Sequence, residues 1–248
     1  RAGGAFGDSR INVRGFDSQN TAVLINGIPV NDMENGRVYW SNWSGLTDVV
    51  SAMQVQRGLG ASKLAISSVG GTINVLTKST ELTKGGKIAA TVGNDGYMKT
   101  VMSYNTGEME GGSALSFLFS RVEGDGYVNG TSFEGYNYFL GYGWESDDDK
   151  HNVQVIVTGA PQTHNQRTSS FYNMADAGDY EQYGIRYNYN HGYLNGQEFN
   201  WRRNFYHKPI ASVNWEYEIN STTNLSASAY YSVGRGGGTG DIGRLGGN

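Results

Sequence analysis

Aromatic side chains with polar tips are concentrated in residues 171–206, where they are mixed with Asn, Arg and Gly. Rings that carry a hydroxyl or an indole N–H suit sugars, peptides or metal chelates, because they offer apolar faces and hydrogen bonds together. The same residues also suit a long loop that packs on its own neighbours, and both interpretations stay open. The candidates for ligand contact are Tyr172, Tyr183, Tyr187, Tyr189, Tyr193 and Trp201.

The other reactive residue types exclude several classes of chemistry. There are 0 Cys residues, which excludes disulfides, thiolate metal sites and cysteine nucleophiles. The 4 His residues lack metal-ligand spacing, and no Gly-x-Ser-x-Gly or His-Glu-x-x-His motif occurs. The formal net charge of -4 gives no nucleic-acid footprint. We therefore expect a protein that is not an enzyme and has no cofactor, metal site or nucleic-acid partner.

From residue 86 onward, side chains alternate between two faces with a period of two residues, which is the period of a β-strand. In residues 136–144, Tyr, Leu and Trp share one face, while Asn, Phe and Gly share the other. The pattern predicts about seven strands, many of them near the ~9–11 residues that cross a bilayer at a tilt. The other members are residues 87–93, 97–105, 115–120, 152–158, 210–219 and 224–233.

The connections between these strands alternate in length. Short ones lie at 94–96, 107–113, 145–151 and 220–223, and long ones at 124–135, 162–208 and from 234 onward. Apart from 94–96, the short turns fall on one side and the long loops on the other, which is typical of outer-membrane β-barrels. A polar face rich in Ser, Asn and Gly also suits a barrel lumen, with the long loops outside the cell. A soluble antiparallel sandwich is the alternative, because its strands alternate too.

Four short motifs follow one another in the first 80 residues. They are residues 11–16 (INVRGF), 23–30 (VLINGIPV), 50–58 (VSAMQVQRG) and 70–78 (GGTINVLTK). In order and spacing they resemble the plug domain of TonB-dependent outer-membrane receptors. Two positions depart from the family pattern, since Gln54 stands in place of the usual Glu and Leu59 in place of the usual Pro.

The resemblance implies a mainly β protein with a plug domain in residues 1–80, followed by antiparallel transmembrane barrel strands in residues 81–248. Plugged transporters have about 22 strands, so we expect a longer parent protein with most of its barrel beyond residue 248. Residues 207–238 also resemble barrel sequence from Bacteroidetes receptors, and more loosely the starch-utilisation (SusC-like) group.

The resemblance assigns roles to several plug residues. Arg14 and Arg57 match the arginines that pair with barrel glutamates and hold the plug, and a guanidinium suits this because it binds a carboxylate in a bidentate manner. A local turn cap or exposure to lumen water is the alternative for each arginine. The motif glycines are expected to serve tight turns or close backbone approach. They are Gly15, Gly27, Gly58, Gly70 and Gly71.

The function that the resemblance implies is energised uptake of a scarce solute across the bacterial outer membrane. A glycan, peptide, siderophore or cobalamin would bind between the plug and the extracellular loops, and TonB would pull on a segment N-terminal to the plug core. Outer-membrane lipid and a surface lipoprotein are further expected partners. Two other functions stay open: a soluble or surface-anchored carbohydrate-active β protein, and a receptor-like barrel with a structural or assembly role.

Overall fold

A computed structural model of the chain describes residues 12–13, 15–43, 49–57, 69–167 and 175–240, with Arg57 described by its backbone alone. The described part divides into a small sheet near the N-terminus and one large sheet. The small sheet contains β1 (Thr21–Ile25), β2 (Ile28–Pro29), β3 (Ala52–Arg57) and β4 (Gly71–Leu76), with 3-10 helices at Ser18–Asn20 and Trp40–Trp43. Its strand order is β2-β1-β4-β3.

The centre of the small sheet is β1, whose residues are all buried. It pairs parallel with β4. A strand that lies between two neighbours, with both faces covered, is expected to be continuously apolar, as Ala22 to Ile25 are. Asn26 and Gly27 turn the chain from β1 into β2 with φ values of 48° and 81°. Positive φ at both positions is the geometry of a type I′ turn, which an Asn-Gly dipeptide favours.

The large sheet has 10 strands, and we call it the wall. Seven of them match the seven predicted from alternation, and they form an antiparallel meander. These seven are β5 (Gly85–Val92), β6 (Met98–Asn105), β7 (Ser113–Gly124), β8 (Phe133–Glu145), β9 (His151–Gly159), β14 (Ile210–Asn220) and β15 (Thr223–Ser232). The predicted fold class, a plug sheet followed by antiparallel barrel strands, is confirmed. Among the described residues, no helix has both the length and the apolar character needed to cross a membrane.

The two faces of the wall have opposite chemistry. On the inner face, Leu118, Phe139 and Ile156 join the buried core of the small sheet, and buried Ser120 and Asn137 lie beside them. On the outer face, large apolar side chains point away from the protein. They include Leu115, Phe117, Phe119, Leu140, Tyr142, Val157 and Val213. A soluble sandwich would bury such residues, whereas a barrel in lipid exposes them.

The predicted long loop over residues 162–208, and the loop from 234 onward, are wrong in part. Three further wall strands lie there: β10 (Gln162–Asn165), β13 (Arg203–His207) and β16 (Arg235–Gly238). We call these three strands the upper wall. Between them, the chain forms helix α1 (Ala177–Tyr183) and the separate hairpin β11 (His191–Leu194) and β12 (Gln197–Asn200).

Each upper strand continues a lower one in unchanged register. Gly159 pairs with Tyr138, and three residues later Gln162 pairs with Gly135 of the same strand. The interruptions, at residues 160–161, 208–209 and 233–234, lie side by side, and we call this line the crease. Two of the three interruptions contain a proline, which has no N–H to donate to the ladder, and this is why the sequence pattern breaks there.

The connection from the plug sheet to the wall packs along the inner face of β8. Thr80 Oγ1 donates to Glu145 Oε1 at 2.7 Å, and Ser79 N donates to Gln154 Oε1 at 3.4 Å. The wall residues beneath this connection are Gly141 and Gly143. A Cβ at Gly141 would lie 2.5 Å from Ser79 Oγ, and one at Gly143 would lie 2.8 Å from Thr80 Cγ2. Glycine is therefore required where the chain crosses the wall.

Gly141→Val tests this close approach. The new side chain would displace Ser79 and loosen the plug, which we expect to lower the free energy of unfolding by about 1–3 kcal/mol. Urea unfolding of the full-length protein in detergent, followed by tryptophan fluorescence, measures the change. Leu140→Val, on the outer face of the same strand, is the control, and an equal loss in both variants would contradict the packing described.

Candidate functional site

The side chain of one asparagine fixes the loop that follows β2, at the end of the plug sheet nearest the upper wall. We call residues 31–39 the apex loop. Asn31 Oδ1 accepts a hydrogen bond from Val23 N at 2.8 Å, while its Nδ2 donates to the carbonyls of Thr21 and Gly36, each at 2.9 Å, and of Ser18 at 3.3 Å. A single side chain therefore ties the apex loop to β1 and to the 3-10 helix that precedes it.

The apex loop reaches the upper wall through a pair of tyrosines. Asn35 Nδ2 donates to the Tyr39 hydroxyl at 3.0 Å, and the Tyr39 ring stacks on Tyr206 of β13. The ring centroids are 6.5 Å apart and the planes differ by 13°. Both rings are nearly half exposed, at 45% and 44%, so they offer accessible aromatic surface where the plug and the wall meet. We call Tyr39 and Tyr206 the apex pair.

Glycines in β16 make room for the wall tyrosine. Gly236 pairs with Tyr206, and a Cβ built on Gly236 would lie 2.6 Å from a Tyr206 ring carbon. On the outer face, a Cβ on Gly237 would lie 3.0 Å from the Phe205 ring. Aromatic rings that cover glycine on a neighbouring strand are a known device for stabilising a sheet edge. The loop predicted from residue 234 onward is therefore wrong for residues 235–238.

Polar side chains surround the apex pair on the inner face of the upper wall. Gln162 and His164 are buried there, and Gln162 Oε1 lies 3.1 Å from His164 Nδ1. Asn204 pairs with His164 across the ladder, so its side chain shares the same face. Aromatic faces beside amide and imidazole groups can bind a ligand by stacking and hydrogen bonding, without covalent chemistry.

The opposite end of β1 is tied to the connection that leads into the wall. Asn26 Nδ2 donates to Thr77 Oγ1 at 2.9 Å, and Thr77 N donates to Asn26 Oδ1 at 2.8 Å. Gly27 N also donates to Asn74 Oδ1 at 3.0 Å. The buried strand β1 is thus fixed at both ends by asparagine, by Asn31 at the apex loop and by Asn26 at the connection.

The structure distributes the predicted loop aromatics over several places. Tyr183 and Tyr187 stack with their centroids 4.7 Å apart, and the guanidinium of Arg202 lies 5.1 Å from the Trp201 ring. Tyr189 is exposed, and Tyr193, at 76% exposure, lies in the β11–β12 hairpin. Tyr172 lies outside the described residues. Ligand contact by this group stays a prediction.

The hairpin β11–β12 is held by asparagines that converge on one carbonyl. Asn190 and Asn200 each donate to the Gln166 carbonyl at 3.1 Å, and Asn188 donates to the Asn129 carbonyl at 2.8 Å. A cleft of about 330 Å³ lies beside them, lined by Asp95, Arg186 and Asn200 among others. Arg186 Nη1 lies 2.6 Å from Asp95 Oδ1, and Asp125 and Glu198 also line the cleft. This arrangement orders the loops.

Two titratable groups in the connecting segments have shifted pKa values. Hydrogen bonds from the Ser146 hydroxyl and the Lys150 N–H lower the pKa of Asp148, so its carboxylate serves the turn between β8 and β9. Burial, followed by the charge of Asp179, raises the pKa of the Tyr187 hydroxyl, which stays neutral. No cluster of acidic and histidine side chains in the described part of the chain has the composition of a metal site.

The remaining predicted site residues are placed as follows. Arg14 and Gly58 lie outside the described residues, and Arg57 is described only as the backbone partner of Gly71. The arginine latch therefore stays a prediction. Gly15 and Gly71 have positive φ values of 82° and 130°. Gly70 allows close approach instead, since a Cβ there would lie 2.8 Å from the Phe16 Cβ and 2.9 Å from Thr21 Oγ1.

Comparison with known proteins agrees with this geometry. The family model of the TonB-dependent receptor plug domain matches residues 1–72. The first 72 residues are therefore similar to the plug domain of TonB-dependent receptors. The probable TonB-dependent siderophore receptor PirA of Acinetobacter baumannii is 31% identical over 87 residues, which cover 31% of this chain and 11% of that protein. The vitamin B12 transporter BtuB of Vibrio vulnificus is 24% identical over 148 residues, covering 60% of this chain and 23% of that protein.

Solved receptor structures share the fold of the whole chain. The siderophore receptor PiuA from Acinetobacter baumannii superposes with a TM-score of 0.66 over 96% of this chain and 32% of its own, at 14% identity. The ferric-catecholate import receptor Fiu from E. coli K12, in its open form, gives a TM-score of 0.63 over 94% of this chain and 34% of its own, at 17% identity. The chain thus spans less than two thirds of the proteins it matches.

Asn31→Ala tests the tie between the apex loop and β1. The variant leaves one buried donor and several carbonyls without their partner, and we expect a loss of about 1–3 kcal/mol in the free energy of unfolding. Urea unfolding in detergent measures it. Asn94→Ala, in the exposed turn between β5 and β6, is the matched control, and a similar small effect in both would show that Asn31 does not hold the loop.

The contact between the apex pair can be measured by cross-linking, and these 248 residues add no native Cys to the background. We expect Tyr39→Cys/Tyr206→Cys to react with a short bifunctional maleimide, giving a cross-linked peptide by mass spectrometry. Tyr39→Cys/Tyr231→Cys, with the second thiol on the outer face, should give none. Equal yields from both cysteine pairs would refute the contact.

Proposed function

We propose that the chain is the plug and the first wall strands of a TonB-dependent transporter of the bacterial outer membrane. The observation that carries this proposal is the inverted polarity of the wall. Its outer face exposes Leu, Phe, Tyr and Val, while its inner face buries Ser, Asn and Gln against the plug core. A water-filled or plugged lumen and a lipid-facing exterior require that inversion. In this proposal the upper wall lies outside the cell, which the parity of the strands supports.

The ligand in this proposal is a scarce solute that enters from the extracellular side and reaches the apex pair. Tyr39 of the plug and Tyr206 of the wall offer stacking surface on the two parts that must separate for transport. Asn35 and Asn204 supply polar contacts nearby. Siderophore, cobalamin, glycan and peptide are the candidate ligands. The names of the relatives, a siderophore receptor and a vitamin B12 transporter, favour the first two.

TonB would act on a segment N-terminal to the plug core, pulling from the periplasm. Ligand at the apex loop and force at the periplasmic side are linked in this chain by β1, whose two ends are fixed by Asn31 and Asn26. Binding therefore biases the same buried strand that Asn26 ties to Thr77, where the connection to the wall begins. No covalent step is involved, and the residues only bind, orient and release.

Further assignments belong to the proposal. Arg14 and Arg57 would pair with barrel glutamates and hold the plug in its resting position. The aromatic candidates in residues 171–206 would extend the ligand-facing surface outward from the apex pair. They are Tyr172, Tyr183, Tyr187, Tyr189, Tyr193 and Trp201. A Bacteroidetes, SusC-like receptor that works with a surface lipoprotein is the narrower form of the proposal, and its support is the sequence of residues 207–238.

Membrane partition and uptake together test the proposal. The full-length protein should fractionate with the outer membrane and show heat-modifiable gel mobility, and its deletion should abolish TonB-dependent uptake of one of four probes: a ferric siderophore, cobalamin, an oligosaccharide or an oligopeptide. Solubility without detergent would instead support a carbohydrate-active β protein. Normal uptake of every probe after deletion would support a structural role.

Tyr206→Ala and Tyr39→Ala test the apex pair in the same assay. Loss of one aromatic contact is expected to weaken binding of the transported probe by up to about tenfold. Tyr231→Ala, on the outer face of the wall, is the control and should leave the affinity unchanged. Equal affinity in all three variants would place the ligand away from the apex pair.

A further inference from the structure

The outer face of the upper wall carries charges that uptake of a solute does not use. Side chains alternate along β13, so Arg203, Phe205 and His207 point outward, while Asn204 and Tyr206 point inward. Arg235 of β16 pairs directly with His207 across the ladder and therefore points outward as well. The outer face thus presents an arginine, an exposed phenylalanine and a second arginine beside a histidine. We call these four residues the outer basic patch.

The patch lies directly above the apolar part of the outer face. Tyr138 is the next outward residue below it, and its hydroxyl lies 3.0 Å from His207 Nε2. Gly159 lies beneath that contact, because a Cβ there would come within 2.5 Å of the Tyr138 hydroxyl. Exposed Tyr231 and Val233 continue the apolar surface beside it. A tyrosine belt topped by basic side chains marks the boundary between acyl chains and headgroups.

The charges of the patch are not neutralised within the described part of the chain. Arg203 Nε donates to the Thr163 hydroxyl at 3.2 Å, and neither Arg203 nor Arg235 forms an ion pair with a described carboxylate. Arg121, which points outward from β7 at a similar height, is different. Its Nη2 lies 2.7 Å from Glu123 Oε2 and 2.8 Å from Glu134 Oε1. On this side of the outer face one arginine faces two carboxylates, whereas Arg203 and Arg235 on the other side have no described carboxylate within ion-pair distance.

We propose that the outer basic patch binds a phosphorylated glycolipid of the outer leaflet. The arginines would bind its phosphates through bidentate hydrogen bonds, which suit the guanidinium fork. The exposed Phe205 ring, 55% accessible, would pack against the sugar between them. The acyl chains would lie on Tyr138 and Tyr231. This inference rests on the proposed function, because it requires the upper wall to face the outer leaflet.

The test compares two lipids on the full-length wild-type protein in detergent. Lipid A with both phosphates should bind at least about tenfold more tightly than dephosphorylated lipid A, as expected for one lost charged hydrogen-bond pair. Excess inorganic phosphate should compete only weakly, since it lacks the sugar and acyl contacts. Equal binding of the two lipids would overturn the proposal without any variant having to fold.

Matched variants then locate the site. Arg203→Gln/Arg235→Gln should remove the preference for the phosphorylated lipid, while Arg202→Gln/Lys208→Gln removes two charges from positions whose alternation directs them inward and should keep it. Retention of the preference in the first variant would overturn the proposal. Membrane fractionation and uptake are measured in parallel, so that a protein absent from the membrane disproves the proposed function, and a transporter indifferent to lipid phosphate disproves only this inference.

Discussion

The organisation of this chain depends on one constraint, that the inner face of the wall must let a separately folded sheet approach closely. Small and polar residues satisfy it. Gly141 and Gly143 accept the connection at Ser79 and Thr80, and buried Ser120 and Asn137 bond to each other on the same face. The large apolar residues that a soluble sheet would bury are displaced to the outside. Both the lipid-facing surface and the seating of the plug follow from this single division of the strand faces.

Much of the fold was predictable because its signals are local. Alternation with a period of two is a property of each strand by itself, and it identified the seven long strands β5 to β9, β14 and β15. The Asn26-Gly27 turn was equally visible, since few other dipeptides adopt positive φ at both positions. The upper wall was missed because Pro161 and Pro209 interrupt the pattern, and a proline in a strand resembles the end of one.

The candidate site was less predictable, because it is made of contacts between distant residues. Tyr39 lies in an irregular segment with no periodic signal, and its partner Tyr206 was visible only as one aromatic residue among many. The glycines of β16 have meaning only beside the rings of Phe205 and Tyr206, and nothing in a glycine run says which strand will lie next to it. The arginine latch is the reverse case. A motif predicts it, but Arg14 and the side chain of Arg57 lie outside the described part of the chain.

The crease has a consequence for how this wall can change during evolution. Because the strands keep one register across the crease, the pairing of the strands below it determines which side chains of the upper wall face inward. A single-residue insertion in the lower part of β14 would turn Tyr206 outward and Phe205 inward, exchanging the side chains of the inner and outer faces. A substitution leaves the pairing register unchanged, whereas an insertion of an odd number of residues reverses which side chains face inward. The set of side chains on the inner face of the upper wall is therefore fixed by the hydrogen-bond pairing of the strands below it.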